Sequence, residues 1–291
     1  MSRIEDALQK LQSRSPRSPA LPTTRLATLE PRQHEYAGRR IIVDSSQLRV
    51  NGLLALDTEE RQLSEQYRAI KRPLLRNADP HLDPPLARGN LIMVASALPG
   101  EGKTFTCVNL CLSIARERDW TVVLVDGDCS KPHLTRLFAA ESEPGLIDLL
   151  RDPSLSFDAL VMPTDVPGLS LLPAGSRDPR ASELLASKRM DELCAALSSN
   201  DGGRIVLFDS SPLLVTTEAP ALAAHVGQIV VVVRANETRQ EAVLGALEKL
   251  DQTKAIACIL NRNAEAGDHS DGYGYGYGYG YGYDDTPEPE A

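Results

Sequence analysis

Asn90-Leu91-Ile92-Met93-Val94-Ala95-Ser96-Ala97-Leu98-Pro99-Gly100-Glu101-Gly102-Lys103-Thr104 is the stretch on which the reading of the fold turns. An apolar run over 90–95 has the length of a buried strand, and an amphipathic segment over 103–117 has the period of a helix. Between them lies a turn whose Gly100 and Gly102 let backbone N–H groups close around an anion. The helix beginning at Lys103 adds its positive dipole end. Lys103 is placed to reach the β- and γ-phosphates of a nucleotide, and the Thr104 hydroxyl to ligate Mg²⁺. This is the phosphate-binding loop pattern, with Ala97 where its first glycine usually stands. The expected nucleotide contacts are Pro99, Gly100, Glu101, Gly102, Lys103, Thr104 and Phe105.

Outward from that loop, short apolar runs alternate with longer amphipathic segments. Further strands are expected at 121–125, 169–172, 204–208, 228–233 and 255–260, and helices at 134–139, 145–150, 180–198, 217–224 and 238–250. Alternation of continuous apolar strands with helices predicts an α/β fold of the P-loop NTPase class, a mostly parallel sheet covered on both faces. Ligands bind such sheets beyond the carboxyl ends of the strands. Two of those ends carry carboxylates, Asp126-Gly127-Asp128 after Val-Val-Leu-Val and Asp209-Ser210-Ser211-Pro212 after Ile-Val-Leu-Phe. One such Asp could be a cap or turn residue; two beside a phosphate loop suit Mg²⁺, a hard cation that takes oxygen ligands. Asp128 and Asp209 are then expected on the metal side, with Asp126 serving an incoming hydroxyl. Asn261 and Arg262 end the last strand, where either a base contact or a plain turn explains them.

The two ends of the 291-residue chain differ from this middle. Residues 2–12 place Ile4, Ala7, Leu8 and Leu11 at helical spacing, and 13–40 turn to Pro, Arg, Ser and Thr, as in a linker. Residues 58–76 show a second amphipathic pattern with Pro73 marking its end or a kink. The expected division is therefore an arm and linker over 1–57, a catalytic domain over 58–266 and a disordered tail over 267–291. The net charge of −9 argues against a general nucleic-acid binder. Five scattered cysteines without CxxC spacing read as free thiols in a reducing compartment. With no apolar run near 18 residues and no signal-peptide core, the expectation is a cytoplasmic chain, its basic arm able to meet an anionic membrane face.

Tyr273, Tyr275, Tyr277, Tyr279, Tyr281 and Tyr283 alternate with glycine near the C-terminus. Glycine at every second place weakens strand pairing, so an extended polar segment is expected. Composition leaves open whether it is a sticky low-complexity tail or a substrate.

With these motifs in place, the sequence resembles the bacterial protein-tyrosine kinases, over about residues 58–283. The resemblance rests on Pro99–Thr104 (PGEGKT), on the Asp126-x-Asp128 motif and on Asp209-x-x-Pro212. Shorter segments at Lys131-Pro132, Glu143-Pro144-Gly145-Leu146 and Ser182-Glu183-Leu184-Leu185 also match, and the start MSRIEDALQKL is similar to the subgroup found in exosortase-linked exopolysaccharide loci. It implies ATP and Mg²⁺ as cosubstrate and cofactor, autophosphorylation in trans of the six tail tyrosines, and regulation of exopolysaccharide synthesis and export. It further implies a ring-like homo-oligomer packed through Glu65, Arg68 and Lys71, where Lys71 replaces the family's usual Arg, and a membrane polysaccharide copolymerase as activator. Ser130 stands where the family usually has Arg. The rival of the same superfamily, a partitioning-type ATP switch, has a signature Lys where this chain has Leu98. Six phosphates would add roughly −9 to −12 charges to an acidic tail, enough to drive it off a neighbouring subunit.

Overall fold

The computed structural model describes residues 36–54, 60–198 and 203–262. Helix α1 spans Ser45–Val50 and α2 Glu60–Asn77. From β1 (Leu91–Ser96) the chain alternates through α3 (Lys103–Ile114), β2 (Thr121–Asp126), α4 (His133–Leu137), α5 (Leu146–Arg151) and α6 (Phe157–Leu160). It continues through β3 (Met162–Pro163), β4 (Leu169–Leu172), α7 (Ala181–Leu185), α8 (Lys188–Ser198) and β5 (Arg204–Asp209). The last elements are α9 (Glu218–Ala223), β6 (Gln228–Arg234), α10 (Gln240–Leu247) and β7 (Ala255–Asn261).

The seven strands lie in the order β3-β4-β2-β5-β1-β6-β7, parallel except for the short antiparallel β3–β4 pair. Every residue of β1 is buried, and its side chains alternate between two cores. Leu91, Met93 and Ala95 join Leu146, Leu185, Met190 and Leu222 on one face. Ile92 and Val94 join Tyr67, Leu74, Leu110 and Ile114 on the other. A strand with helices on both sides must be apolar at every position, which is why the run over 90–95 shows no alternation.

Each expected strand lies within a residue of its observed limits. The segment 180–198 splits into α7 and α8, with the Ser187 hydroxyl accepting from the Met190 N–H at 3.3 Å at the start of the second helix. Helix α2 runs through Pro73 to Asn77, beyond the end expected there. The packed unit also reaches upstream of residue 58. Ile41, Leu48 and Leu53 are buried, Asp44 caps α1 by accepting from the Ser46 and Gln47 N–H groups, and Ile41 bridges to Thr164. Three isolated apolar residues without a period give no sequence signal, so only the packing reveals them. The expected helix over 2–12 and the tyrosine tail lie outside the described residues.

Candidate active site

Strand pairing puts the chemistry in one place. β1 and β2 both flank β5, and Asp126 and Asp209 stand opposite one another in the β2–β5 register. The Gly127 N–H donates to the Asp209 carbonyl at 2.8 Å, and a Cβ on Gly127 would meet that oxygen at 2.8 Å and Leu222 Cδ2 at 2.9 Å. Glycine between the two aspartates is thus required by close approach of the strand ends.

The phosphate loop follows β1. Gly102 is the N-cap of α3 with φ 100° and ψ 27°, and the first intrahelical bond runs from the Thr106 N–H to the Gly102 carbonyl. The N–H groups of residues 103–105 precede that bond and are free to face a phosphate. The loop is braced from outside. Leu98 N–H donates to Glu101 Oε2 at 2.8 Å, and the Thr238 hydroxyl donates to Glu101 Oε1. Asn261 Nδ2 donates to the Glu101 carbonyl at 2.9 Å, and Leu213 and Leu214 N–H groups donate to the carbonyls of Ser96 and Ala97. Glu101, which is buried, and the half-buried Asn261 at the end of β7 therefore hold the backbone that would hold the phosphate. Arg262 follows with φ 57°, its N–H donating to Asn261 Oδ1 at 2.9 Å. Phe105 packs its ring against the second core, leaving its backbone N–H for the phosphate side.

Lys103 Nζ donates to the Ser96 hydroxyl at 3.0 Å, and the Thr104 hydroxyl donates to Asp209 Oδ2 at 2.7 Å. Cys107 Sγ donates to Asp209 Oδ1 at 3.5 Å. Burial pushes the Asp209 carboxyl up to about 6, although Thr104 and the Lys103 ammonium oppose the shift. Burial, then the charge of Asp209, pushes Asp126 up to about 7 against the hydrogen bonds from Thr135. Asp128 is also raised by burial, with the Lys131 N–H and the Lys103 charge opposing. Asp126 Oδ1 has no hydrogen-bond partner among the described residues, and its residue is fully buried.

Buried carboxylates whose pKa values are raised by desolvation despite nearby cations form a site suited to further positive charge. A hydroxyl and carboxylates at strand ends fit Mg²⁺, which takes one or two protein oxygens and completes its shell with phosphates and water. Among the described residues no group of three or more His, Cys, Asp and Glu could hold a metal ion by itself.

Other expected positions divide differently. Glu65 and Arg68 are exposed on α2. Lys71 is only 4% exposed, with Nζ donating to the Ser113 carbonyl at 2.5 Å and paired with Glu117 at 2.7 Å. It fastens α2 to α3 within the chain, because a helix residue one turn from Tyr67 and Leu74 lies on the buried face. Ser130 donates to Glu218 Oε1 at 2.7 Å. Ser96, Thr135 and Thr238 gave no sequence signal; each acts through a hydroxyl brought in by another element.

A curated relative decides the family. The tyrosine-protein kinase YwqD of Bacillus subtilis (strain 168) is 33% identical over 212 residues, 70% of this chain and 83% of the relative. The chain belongs to the bacterial tyrosine-protein kinases. Another member of that family, the tyrosine-protein kinase wzc of Salmonella typhimurium, is 32% identical over 166 residues. That match takes in 57% of this chain and 22% of wzc, so the chain spans less than a quarter of the length of such larger relatives. Among solved structures, the VpsO kinase domain superposes with a TM-score of 0.58 at 30% identity, over 71% of this chain and 99% of that one. The kinase domain of the Escherichia coli tyrosine kinase ETK does so with a TM-score of 0.58 at 27% identity, over 74% and 80%. No protein-family model matches the chain. Among the described residues of this bacterial tyrosine-protein kinase, no helix is long and apolar enough to cross a membrane.

Proposed function

We propose that the chain transfers the γ-phosphoryl group of ATP to tyrosines of its C-terminal cluster, Tyr273 to Tyr283 at alternate positions, on a neighbouring copy. The observation that carries this is the cluster of Lys103, Thr104 and Asp209 beside an aspartate, Asp126, with one buried oxygen unengaged. Pro99, Gly100, Glu101 and Gly102 shape the loop, and backbone N–H groups of 103–105 take the phosphates. Lys103 leaves Ser96 for the β- and γ-phosphates. Thr104, Asp128 and Asp209 hold Mg²⁺, which when bound neutralises charge developing on the phosphoryl oxygens. Asn261 and Arg262 border the base. Asp126 Oδ1 accepts the phenolic proton as the tyrosine oxygen bonds to phosphorus and the bond to the β–γ bridging oxygen breaks. Catalysis is then positioning and charge stabilisation, with proton acceptance near neutral pH.

Glu65 and Arg68, exposed on α2, are the contacts of a ring-like assembly in this reading, and a membrane polysaccharide copolymerase is the activator. The pathway regulated is exopolysaccharide synthesis and export, and the chain works in the cytoplasm at the inner membrane face. The test is incubation with labelled ATP and Mg²⁺, comparing the intact chain, Lys103→Met and a chain with the six tail tyrosines changed to Phe. Label on tyrosine, lost in Lys103→Met and in the tail variant, is expected. Free phosphate without protein label refutes transfer to tyrosine. Label that persists in the Phe tail moves the acceptor elsewhere.

A further inference from the structure

We infer that Thr135 is the positioning residue that fixes the orientation of the Asp126 carboxylate, engaging one oxygen and leaving the other for the reaction, an assignment that rests on the kinase reading above. Thr135 is 2% exposed in α4, nine residues beyond Asp126. Its N–H donates to Asp126 Oδ2 at 2.7 Å and its hydroxyl donates to the same oxygen at 2.8 Å. The hydroxyl in turn accepts from the Ala174 N–H at 2.9 Å, from the loop that follows β4. A hydroxyl has one proton and accepts through its lone pairs. With the Ala174 N–H aimed at the oxygen, the proton is left to point at Asp126, so the polarity of the chain Ala174, Thr135, Asp126 is fixed.

The consequence is asymmetry within one carboxylate. Oδ2 takes two donors, and Oδ1 takes none. Rotating the carboxylate plane away from Thr135 would break both bonds in a fully buried place, where unpaired polar groups are costly. Oδ1 is thereby the oxygen that accepts the phenolic proton when the tyrosine oxygen bonds to the γ-phosphorus and ADP departs with the electron pair of the broken bond. Ala174 lies between Pro173 and Gly175, whose loop also meets α5: the Leu146 and Ile147 N–H groups donate to the Pro173 and Ala174 carbonyls. The orientation of the carboxylate is thus tied, through Thr135, to the loop after the neighbouring strand β4.

The full chain with Mg²⁺ and ATP tests this, comparing the unsubstituted protein with Thr135→Val and Thr135→Ser. Val keeps the shape and removes the hydroxyl; Ser keeps the hydroxyl. Thr135→Val is expected to lower kcat for tyrosine phosphorylation roughly 10- to 100-fold, as befits loss of one hydrogen bond to a charged group. KM for ATP and ADP affinity should stay unchanged, and Thr135→Ser should restore most of kcat. A Thr135→Val chain with full kcat overturns the assignment, as does an equal fall in both variants or a matching loss of ADP binding. If Thr135→Val does not melt cooperatively, Thr135→Cys takes its place: a kcat equal to that of Thr135→Ser, despite the weak thiol donor, overturns the assignment. An unsubstituted chain that labels no tyrosine overturns the kinase reading itself, and the assignment with it.

Discussion

Replacing Gly102 by Ala should damage the phosphate loop for two separable reasons. The first is conformational: with φ at 100° the residue lies where an L side chain is strained by about 1–2 kcal/mol. The second is a collision. A Cβ at this position would overlap Asn261 Nδ2 and stand 3.3 Å from Asn261 Cγ. Asn261 must then withdraw, and its bond to the Glu101 carbonyl, about 1 kcal/mol, is lost. Together they amount to about 2–3 kcal/mol, or roughly a 30- to 150-fold loss in nucleotide affinity. Gly100→Ala provides the internal comparison. Its φ is 80° and nothing lies within 4 Å of the added Cβ, so only the strain applies, roughly a 5- to 30-fold loss.

Titration with a fluorescent ADP analogue and Mg²⁺ measures the affinities, and thermal melting confirms that each variant folds. The decisive comparison is the cycle with Asn261→Ala, which removes the side chain the new methyl would strike. The double variant should be better than the sum of the two single losses by about 1 kcal/mol. Strict additivity would refute the collision. A Gly102→Ala variant no weaker than Gly100→Ala would refute the whole account.

Other outcomes follow from polar groups buried beneath the site. Lys71→Met should lower stability by about 1–3 kcal/mol by thermal melting, with particle size by light scattering unchanged, since it removes an intrachain pair with Glu117; a size change without melting loss would make it an interface residue. Gln228, 1% exposed, donates to the Leu74 carbonyl at 3.0 Å and the Gly89 carbonyl at 2.5 Å and accepts from Asn77 at 3.0 Å, so Gln228→Leu should cost about 2–4 kcal/mol in urea unfolding. For Asp148, burial pushes the carboxyl up, but the Ser176 and Gly145 N–H groups and then Arg151 outweigh it and hold the group below its ordinary value. A depressed folded-state value stabilises above the unfolded pKa of about 3.9 and is lost as pH falls through the folded one. Asp148→Asn should therefore be less stable than the unsubstituted chain at neutral pH, and the gap should close on acidification below about pH 4.

The sheet was legible because its strands are buried on both faces, and burial on both faces writes an unbroken apolar run. The loop was legible because phosphate binding restricts residue types over consecutive positions, from Pro99 to Thr104. The two aspartate motifs were legible as strand ends, although not as partners; their opposition follows from β5 lying between β1 and β2, a sheet order that no single segment encodes. Thr135, Ser96 and Thr238 were not legible because a hydroxyl has no spacing rule of its own and matters only through what another element brings to it. The burial of Lys71 was not legible for a related reason. A lysine on an amphipathic helix reads as surface, and only Glu117 and the Ser113 carbonyl, supplied at the far end of α3, make its burial tolerable.

Asp126 and Asp209 show how one residue type at equivalent strand ends acquires two different surroundings. They face each other across neighbouring strands, so their charges oppose and neither is comfortable when both are ionised. The surroundings break the symmetry. Asp209 receives the Thr104 hydroxyl, the Cys107 thiol and the field of Lys103, all of which favour its anionic form. Asp126 receives both donors on Oδ2 from Thr135 and is raised further, to about 7, with the charge of Asp209 as its second cause. In the proposed reaction the carboxylate whose anion has more support would face the cation, and the other would accept the proton of a phenol. The charge of Asp209 is part of what raises Asp126, the proton acceptor in the proposed reaction. A substitution that neutralised Asp209 would disturb the proton acceptor as well as the metal side, even with every atom of Asp126 in place.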